Sequence, residues 1–211
     1  MDWNLPSEII DERLGLRVKE IESDLLRRAQ LLIPKGDHHS WGAALHEGNQ
    51  TWVGLHPETI QTPYAELARM CRKLSLKNGD HVVDLGAGYG RLGFVLQDLY
   101  PAVTFLGLEF VHERVLEGQR IYRELGLDPK TLTEGDLTAE NYFPEEATHY
   151  FLYDFGKVPH IRRILLQLGE IADRKKFTLI GRGKGVRSLI SHEFPWLTVF
   201  YAEENFSIYS I

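Results

Sequence analysis

One short segment limits the possible fold more than any other: an apolar stretch that runs directly into three alternating glycines. Residues 81–93 read HVVDLGAGYGRLG, and the glycines are Gly86, Gly88 and Gly90. Glycine permits the tight turn, and the close approach of a ligand to the backbone, that a strand-to-helix loop of this kind needs. The helix that follows presents unpaired N–H groups at its first turn. The segment therefore predicts a strand, a ligand-binding loop and a helix.

Strand and helix patterns alternate through the rest of residues 62–211. Thr62 and Pro63 open a helix, because proline is tolerated at the first helical position. Further strands are predicted at 104–109, 131–135, 148–154 and 176–181, and helices near 90–99, 112–125, 159–172 and 185–193. The tail TVFYAEENFSIYSI predicts two more strands about a Glu-Glu-Asn turn. This alternation is typical of an α/β fold, namely a Rossmann-like, doubly wound, mostly parallel seven-stranded sheet with an antiparallel C-terminal hairpin.

The N-terminal residues show a helical pattern instead. Apolar residues repeat every three or four positions through residues 8–33. This spacing predicts one amphipathic helix, with Ser7 as its N-cap and Pro34 as its stop. We expect it to form a helical cap on the α/β domain.

Residues 34–61 lose this periodicity but contain tryptophans, among them Trp52. So long a connection in a compact chain is usually functional or disordered, and its aromatic content favours an ordered lid over the binding site. We therefore divide the chain into an N-terminal helix and lid segment, 1–61, and a ligand-binding domain, 62–211.

The composition is that of an ordinary globular chain, with 43% apolar and 26% charged residues among 211. No apolar run approaches the roughly 20 residues needed to cross a bilayer, and the start does not resemble a secretory signal. The single Cys71 excludes an internal disulfide and a multi-cysteine metal site. We expect a cytoplasmic protein that does not bind membranes.

The net charge of −6 argues against general nucleic-acid binding, for which a basic footprint is expected. The charge is uneven, because nine Lys or Arg residues and only two acidic residues lie between Lys157 and Arg187. This region is either a solvated face or a local basic face for an anionic partner.

Four histidines lie in the aperiodic segment, but their spacing matches no familiar zinc pattern. We expect them in polar networks or at the surface, and we expect no metal. They are His38, His39, His46 and His56.

An acidic residue lies within, at the end of, or directly after each of three successive predicted strands. Asp84 lies in the first strand, Glu109 ends the second, nineteen residues after Gly90, and Asp136 follows the third. An acid at the position of Glu109 can accept both hydroxyls of a ribose. A carboxylate at Asp136 can accept an exocyclic adenine amine. Together the acids and the glycines predict a nucleoside-containing ligand.

The spacing Gly88-x-Gly90-x-x-Gly93 also satisfies the dinucleotide pattern, so an NAD-dependent dehydrogenase is an alternative. Two details weigh against it. Asp84 and an additional glycine precede the pattern, and a carboxylate there suits a cationic amino-acid moiety better than a pyrophosphate. Only 118 residues follow Gly93, too few for the separate substrate domain of most dehydrogenases.

At this point the sequence resembles the class I, seven-stranded S-adenosylmethionine-dependent methyltransferases over about residues 62–211. The resemblance rests on VVDLGAGYG, on GLEF, EGDL and YFLYDFG, and on the closing hairpin. It implies S-adenosylmethionine as the cofactor. The cofactor-binding residues it implies are Asp84, Gly86, Gly88 and Gly90 at the methionine end, Glu109 at the ribose, and Asp136 and Leu137 at the adenine, with Thr62, Ala87 and Phe110 as further cofactor contacts.

A finer resemblance links two segments to the non-SET histone-lysine methyltransferases and their small relatives. These segments are Gln61-Thr62-Pro63-Tyr64 and Tyr153-Asp154-Phe155-Gly156. The position of Asp154 is typically Asn in that group, so its role here departs from the family pattern. The chain also lacks the Asn/Asp-Pro-Pro-aromatic motif of amino-directed nucleic-acid methylases.

The resemblance implies methyl transfer to an amine, which we expect to be a protein lysine. Asp154 is the candidate for orienting or deprotonating the amine, although a structural role for this carboxylate stays open. Tyr64 is a second catalytic candidate, and Tyr153, Phe155 and Trp52 are candidate substrate contacts. A small-molecule acceptor, and a catalytically silent module that only binds S-adenosylmethionine, are the alternatives.

Overall fold

The glycine loop lies near the centre of a seven-stranded sheet in the computed structural model, which describes residues 1–211. The strand order is β3-β2-β1-β4-β5-β7-β6. Strands β1 to β5 are parallel, and β7 pairs antiparallel with both β5 and β6. The strands are β1 His81–Leu85, β2 Thr104–Glu109, β3 Leu132–Glu134, β4 His149–Leu152, β5 Thr178–Arg182, β6 Thr198–Ala202 and β7 Phe206–Ser210. The predicted fold class is thus confirmed.

Nine α-helices surround the sheet. They are α1 Ser7–Leu14, α2 Val18–Leu32, α3 His38–Leu45, α4 Pro57–Ile60, α5 Tyr64–Lys73, α6 Arg91–Leu99, α7 His112–Glu124, α8 Val158–Ala172 and α9 Lys184–Glu193. None of them has both the length and the apolar character required to cross a lipid bilayer.

The central strand is buried on both faces, as expected for a doubly wound sheet. Val82 packs in a cluster with residues of α1, α5 and α6. Val83 and Leu85 pack in a second cluster with α8 and α9 on the opposite face. Because β1 is packed on both faces, its end is held in a fixed position. The glycine loop that follows β1 is therefore held in position as well.

The prediction of one helix over residues 8–33 was wrong, because two helices meet at Gly15. Gly15 has a φ of +76°, and its N–H and that of Leu16 bond back to carbonyls of α1, which is a left-handed C-cap. The Arg17 backbone N–H then donates to Glu117 of α7 at 2.9 Å. Ser7 is the first residue of α1 rather than its N-cap. The helical stripe continues across this break, so the sequence pattern did not reveal it.

The segment 34–61 is also more regular than predicted, because it contains α3 and α4. Asp37 caps α3 in a capping box with Ser40, a local signal that the periodicity does not show. Trp41 donates its Nε1–H to the carbonyl of Ile33 at 3.0 Å. Val53 packs with Val111 and α2 in a small apolar cluster, so the segment is fastened to the α/β domain.

Candidate functional site

A cleft of about 250 Å³ opens at the carboxyl ends of β1 to β4, where the strand order reverses direction. Ligands of doubly wound sheets bind at this point. One wall comes from the strand ends and the other from residues 49–61. The strand side is lined by Gly86, Gly88, Glu109, Phe110, Arg114, Asp136, Leu137, Thr138, Tyr153, Asp154, Phe155 and Gly156.

The glycine loop brings bare backbone to the floor of the cleft. Gly86 and Gly88 have φ values of +97° and +56°. A Cβ added to Gly88 would lie 2.7 Å from the Gln61 side-chain nitrogen. Gly90 caps α6 behind the loop and does not line the cleft; its carbonyl accepts the Tyr122 hydroxyl at 2.9 Å.

Glu109 ends β2 as a buried carboxylate facing the loop. It accepts the N–H of Gly88 at 2.8 Å and that of Val111 at 2.9 Å. A carboxylate offers about four acceptor positions, so two remain for ligand hydroxyls. The Arg114 guanidinium lies 3.7 Å from it.

Arg114 links this carboxylate to the N-terminal cap. It donates to both oxygens of Glu22 on α2, at 2.8 and 3.0 Å, and to the carbonyl of Thr51 at 3.2 Å. Burial lowers the pKa of this guanidinium, but Glu22 and Glu109 more than offset that effect and hold the pKa above its ordinary value. Arg114 was not predicted as a site residue from the sequence. A helical arginine three residues beyond a β-α loop has no distinctive local pattern.

A second, small cavity of about 40 Å³ adjoins the cleft around Asp84. Thr62, Ala87 and Gly86 also line it, whereas Gly88 lines the main cleft and Gly90 lines neither, so the cavity gathers only part of the predicted methionine end. Burial, and then the nearby Glu109, raise the pKa of Asp84 to about 7. A carboxylate in such a setting gains from a cationic ligand, which restores its ionised form.

The adenine end predicted from the sequence lies after β3. Asp136 accepts the N–H of Thr138 at 2.7 Å through one carboxylate oxygen. The Thr138 hydroxyl lies 2.6 Å from that oxygen and 2.9 Å from the side-chain oxygen of Asn49. Leu137 between them is buried and lines the cleft.

Asp154 lines the cleft, but its carboxylate caps a helix. Its oxygens accept the backbone N–H groups of Gly185 at 3.0 Å and Val186 at 2.6 Å, in the first turn of α9. A negative charge at a helix N-terminus is stabilising. These contacts favour the structural alternative for Asp154.

Tyr64 does not line the cleft, which corrects its predicted place in the acceptor channel. It is fully buried, it donates its hydroxyl to Asp11 at 2.9 Å, and its ring stacks on Trp3. Both partners come from residues more than 50 positions away, so local sequence did not indicate them.

Residues 49–61 close the other side of the cleft, with eight lining residues. The Nε1–H of Trp52 donates to the Asp154 carbonyl at 3.0 Å, and the Tyr153 hydroxyl donates to the Thr59 carbonyl at 2.7 Å. These two bonds join the segment to the end of β4. Gln61 also lines the cleft. It belongs to the sequence motif before α5, but the sequence alone did not predict a role for it.

The histidines of this segment take part in packing and polar contacts. His38 and His39 lie against the Trp52 ring, and His46 Nδ1 lies 2.7 Å from the Thr51 hydroxyl. No group of three histidine, cysteine or acidic side chains in the structure is arranged to hold a metal ion.

Comparisons with known proteins agree with this geometry. No family model matches the chain. A protein-L-isoaspartate O-methyltransferase 2 of Archaeoglobus fulgidus is 25% identical over 162 residues, which cover 74% of this chain and 72% of that protein.

Solved structures share the fold. An RNA methyltransferase of Salinibacter ruber in complex with S-adenosyl-L-homocysteine has a TM-score of 0.54 at 18% identity, over 71% of this chain and 91% of that one. A precorrin-6y C5,15-methyltransferase of Geobacter metallireducens has a TM-score of 0.53 at 15% identity, over 73% and 90%. TrmN of Thermus thermophilus reaches 0.55 at 13% identity, over 72% of this chain, which spans about half of TrmN (48%).

The fold and the cleft are those of a doubly wound protein with a ligand site at its strand ends. The comparisons narrow this class: the chain shares its fold with S-adenosylmethionine-dependent methyltransferases and is similar in sequence to one methyltransferase. S-adenosylmethionine is the cofactor that this likeness implies, and one of these neighbours is in complex with the demethylated form, S-adenosyl-L-homocysteine.

The residues present fit this cofactor on two observations. A Cβ at Gly88 would lie 2.7 Å from the flexible end of the Gln61 side chain, so glycine keeps the space beneath Gln61 open. Burial and the nearby Glu109 raise the pKa of the half-buried Asp84, a setting that a cationic ligand would relieve. When bound, the cofactor supplies an activated methyl group, and the protein supplies orientation and exclusion of water.

Proposed function

We propose that the chain transfers a methyl group from S-adenosylmethionine to an amine, and that this amine is a lysine side chain of a partner protein. The observation that carries the proposal is the aromatic lining beside the end of β4. Trp52, Tyr153 and Phe155 line the cleft there, next to the glycine loop. Aromatic faces attract cations such as a lysine ammonium group.

On the cofactor side, the proposal places the methionine moiety at Asp84 and the glycine loop. Glu109 accepts the ribose hydroxyls with the oxygen capacity that its two backbone contacts leave free. The free oxygen of Asp136 accepts the adenine amine, and the buried Leu137 packs beside the base. Gln61 lies over the loop at Gly88.

An amine attacks only through a free lone pair, and the lysine pKa of about 10.4 keeps it protonated at neutral pH. A water-poor aromatic cavity lowers the pKa of an amine by desolvation. Trp52 and Tyr153 have two roles in the proposal. They line this aromatic cavity, and their hydrogen bonds hold the lid across the cleft. Asp154 acts as a positioning residue, because its cap on α9 fixes the backbone between Tyr153 and Phe155.

The proposal assigns residues 1–61 as cap and lid and 62–211 as the S-adenosylmethionine-binding domain. Residues 49–61 supply the inner surface of the lid. Closing segments of this kind exclude water and order on ligand binding. No general nucleic-acid binding is part of the proposal, since the chain has a net charge of −6.

One observation favours a second candidate, methyl transfer to a carboxylate of a partner protein. Lys157 follows the cleft residue Gly156, and Lys184 lies at the start of the helix that Asp154 caps. Both lysines are exposed and neither forms an ion pair. The Archaeoglobus relative is named a protein-isoaspartate methyltransferase.

Labelling with methyl-tritiated S-adenosylmethionine and cell extract separates these acceptors. The amine proposal predicts protein-bound label that survives mild alkali and that mass spectrometry locates on lysine. Release of the label as volatile methanol would identify an ester and support the carboxylate. Label confined to metabolites would indicate a small-molecule acceptor. Bound cofactor without any transfer would indicate a silent binding module.

A further inference from the structure

Arg91 is a buried cation with hydrogen-bond donors that the protein leaves unused. It is the first residue of α6, directly after the glycine loop, and is only 4% exposed. Its Nη2 donates to Asp11, but its Nε and Nη1 are buried and have no partner. Unsatisfied donors on a buried charged group are costly, so their retention points to a ligand that accepts from them.

Arg91 lines the cavity at the methionine end, together with Asp84, Gly86 and Ala87. Arg182 lines it too, so the cavity holds one acid and two arginines, of which Arg91 is the more buried. The methionine moiety of the cofactor carries a carboxylate and an ammonium group, the complementary pair of charges.

We propose that Arg91 binds the carboxylate of the cofactor's methionine moiety, while Asp84 faces the ammonium group. An arginine can serve two carboxylates because its guanidinium carries five N–H donors in a fixed fork. Asp11 accepts from Nη2, and the unpartnered Nε–H and Nη1–H, which point to different edges of the guanidinium, each offer the ligand carboxylate one donor. The proposal rests on the cofactor assignment and is independent of the acceptor.

The N-terminal cap holds Arg91 in place. Asp11 comes from α1 and also accepts the Tyr64 hydroxyl at 2.9 Å. The centre of the Arg91 guanidinium lies 4.9 Å from the middle of the Tyr64 ring. Tyr64, which lies outside the cleft, thus acts as a positioning residue for the cofactor rather than as a wall for the acceptor.

A second arginine in the same cavity, Arg182, provides a matched comparison. Its Nε and Nη2 donate to Glu66 at 2.8 and 3.5 Å, and it stacks on the Tyr153 ring. None of its nitrogens is buried without a partner. We therefore assign the carboxylate to Arg91 and not to Arg182.

Calorimetry with three ligands tests the assignment without any turnover. They are S-adenosylmethionine, its decarboxylated analogue, which lacks only the carboxylate, and 5′-methylthioadenosine, which lacks the amino-acid moiety. The wild type should bind S-adenosylmethionine about 10- to 100-fold more tightly than the decarboxylated form, the range for hydrogen bonds to charged groups. Arg91→Gln should abolish that ratio and leave 5′-methylthioadenosine binding nearly unchanged, while Arg182→Gln should keep the ratio.

Three results would overturn the proposal: equal wild-type affinity for the first two ligands, a ratio that survives Arg91→Gln, or a ratio lost in Arg182→Gln instead. If Arg91→Gln binds no ligand, the double variant Asp11→Asn/Arg91→Gln replaces the buried ion pair by neutral amides and is judged by the same ratio. A wild type that binds none of the three ligands would contradict the cofactor assignment itself.

Discussion

The backbone of Gly88 lies under the Gln61 side chain, and an added Cβ would approach the end of that side chain to 2.7 Å. We predict that Gly88→Ala abolishes S-adenosylmethionine binding, since the new methyl group displaces Gln61 or fills the ligand's space. Gly79→Ala is the matched control: its φ of +88° is also left-handed, but nothing lies within 4 Å of an added Cβ. Both variants should lose about 1–3 kcal/mol of stability from backbone strain. Calorimetry showing that Gly88→Ala binds like Gly79→Ala would contradict the placement of the cofactor.

The raised pKa of Asp84 leads us to expect that cofactor affinity depends on pH. Its pKa of about 7 in the ligand-free protein lies above the unfolded value, so this group destabilises the fold as pH rises from about 4 to 7. The cofactor's ammonium group needs the ionised form of Asp84. Cofactor affinity should therefore rise with increasing pH, over the same range in which the stability of the ligand-free protein falls. From pH 5.5 to 7 we expect an increase of about tenfold.

The measurement is calorimetric titration across that pH range. Binding of 5′-methylthioadenosine, which carries no ammonium group, should stay flat, and Asp84→Asn should remove the dependence for S-adenosylmethionine. A slope that persists in Asp84→Asn would assign the titration to another group.

At the scale of elements, two hydrogen bonds join residues 49–61 to the end of β4, and Trp52 and Tyr153 donate them. We predict that Tyr153→Phe, which removes the bond to the Thr59 carbonyl, speeds amide hydrogen exchange in residues 49–61. Adding S-adenosylmethionine should slow exchange there in the wild type. Tyr201→Phe removes a comparable hydroxyl contact, to Glu203, far from the cleft and should have no effect on the lid. Unchanged exchange in 49–61 on cofactor addition, alongside protection at 84–90, would reduce the segment to a structural tether.

The sequence predicted the elements of the α/β domain closely, because strand alternation and helical periodicity are local properties. β1 is observed at the predicted residues, and α8 begins one residue early. The cap was predicted less well. The bend at Gly15 depends on a contact between Arg17 and Glu117, one hundred residues apart. Asp154 and Tyr64 were assigned to the acceptor from their position in motifs, whereas their partners come from α9 and α1 and are set by tertiary packing.

At the scale of the whole molecule, buried ion pairs join the cap to the α/β domain. Glu22 on α2 pairs with Arg114, and the Tyr89 hydroxyl of the glycine loop donates to Glu22 at 2.9 Å. We predict that Glu22→Gln lowers the free energy of unfolding by about 3–5 kcal/mol, the cost of leaving a buried charge with a missing partner. Glu20→Gln, an exposed position on the same helix, should change it little. Denaturant unfolding with equal midpoints for the two variants would show that cap and domain are energetically separate.

Binding of S-adenosylmethionine through Glu109 and the glycine loop underlies every other proposal for this cleft. It is tested by isothermal calorimetry of the wild type, Glu109→Ala and the exposed-acid control Glu134→Ala. The wild type should bind S-adenosylmethionine or S-adenosylhomocysteine on the order of −8 kcal/mol. We expect a loss of about 1–3 kcal/mol in Glu109→Ala and almost none in Glu134→Ala. No heat for either cofactor form, with binding of NADH instead, would contradict the cofactor assignment.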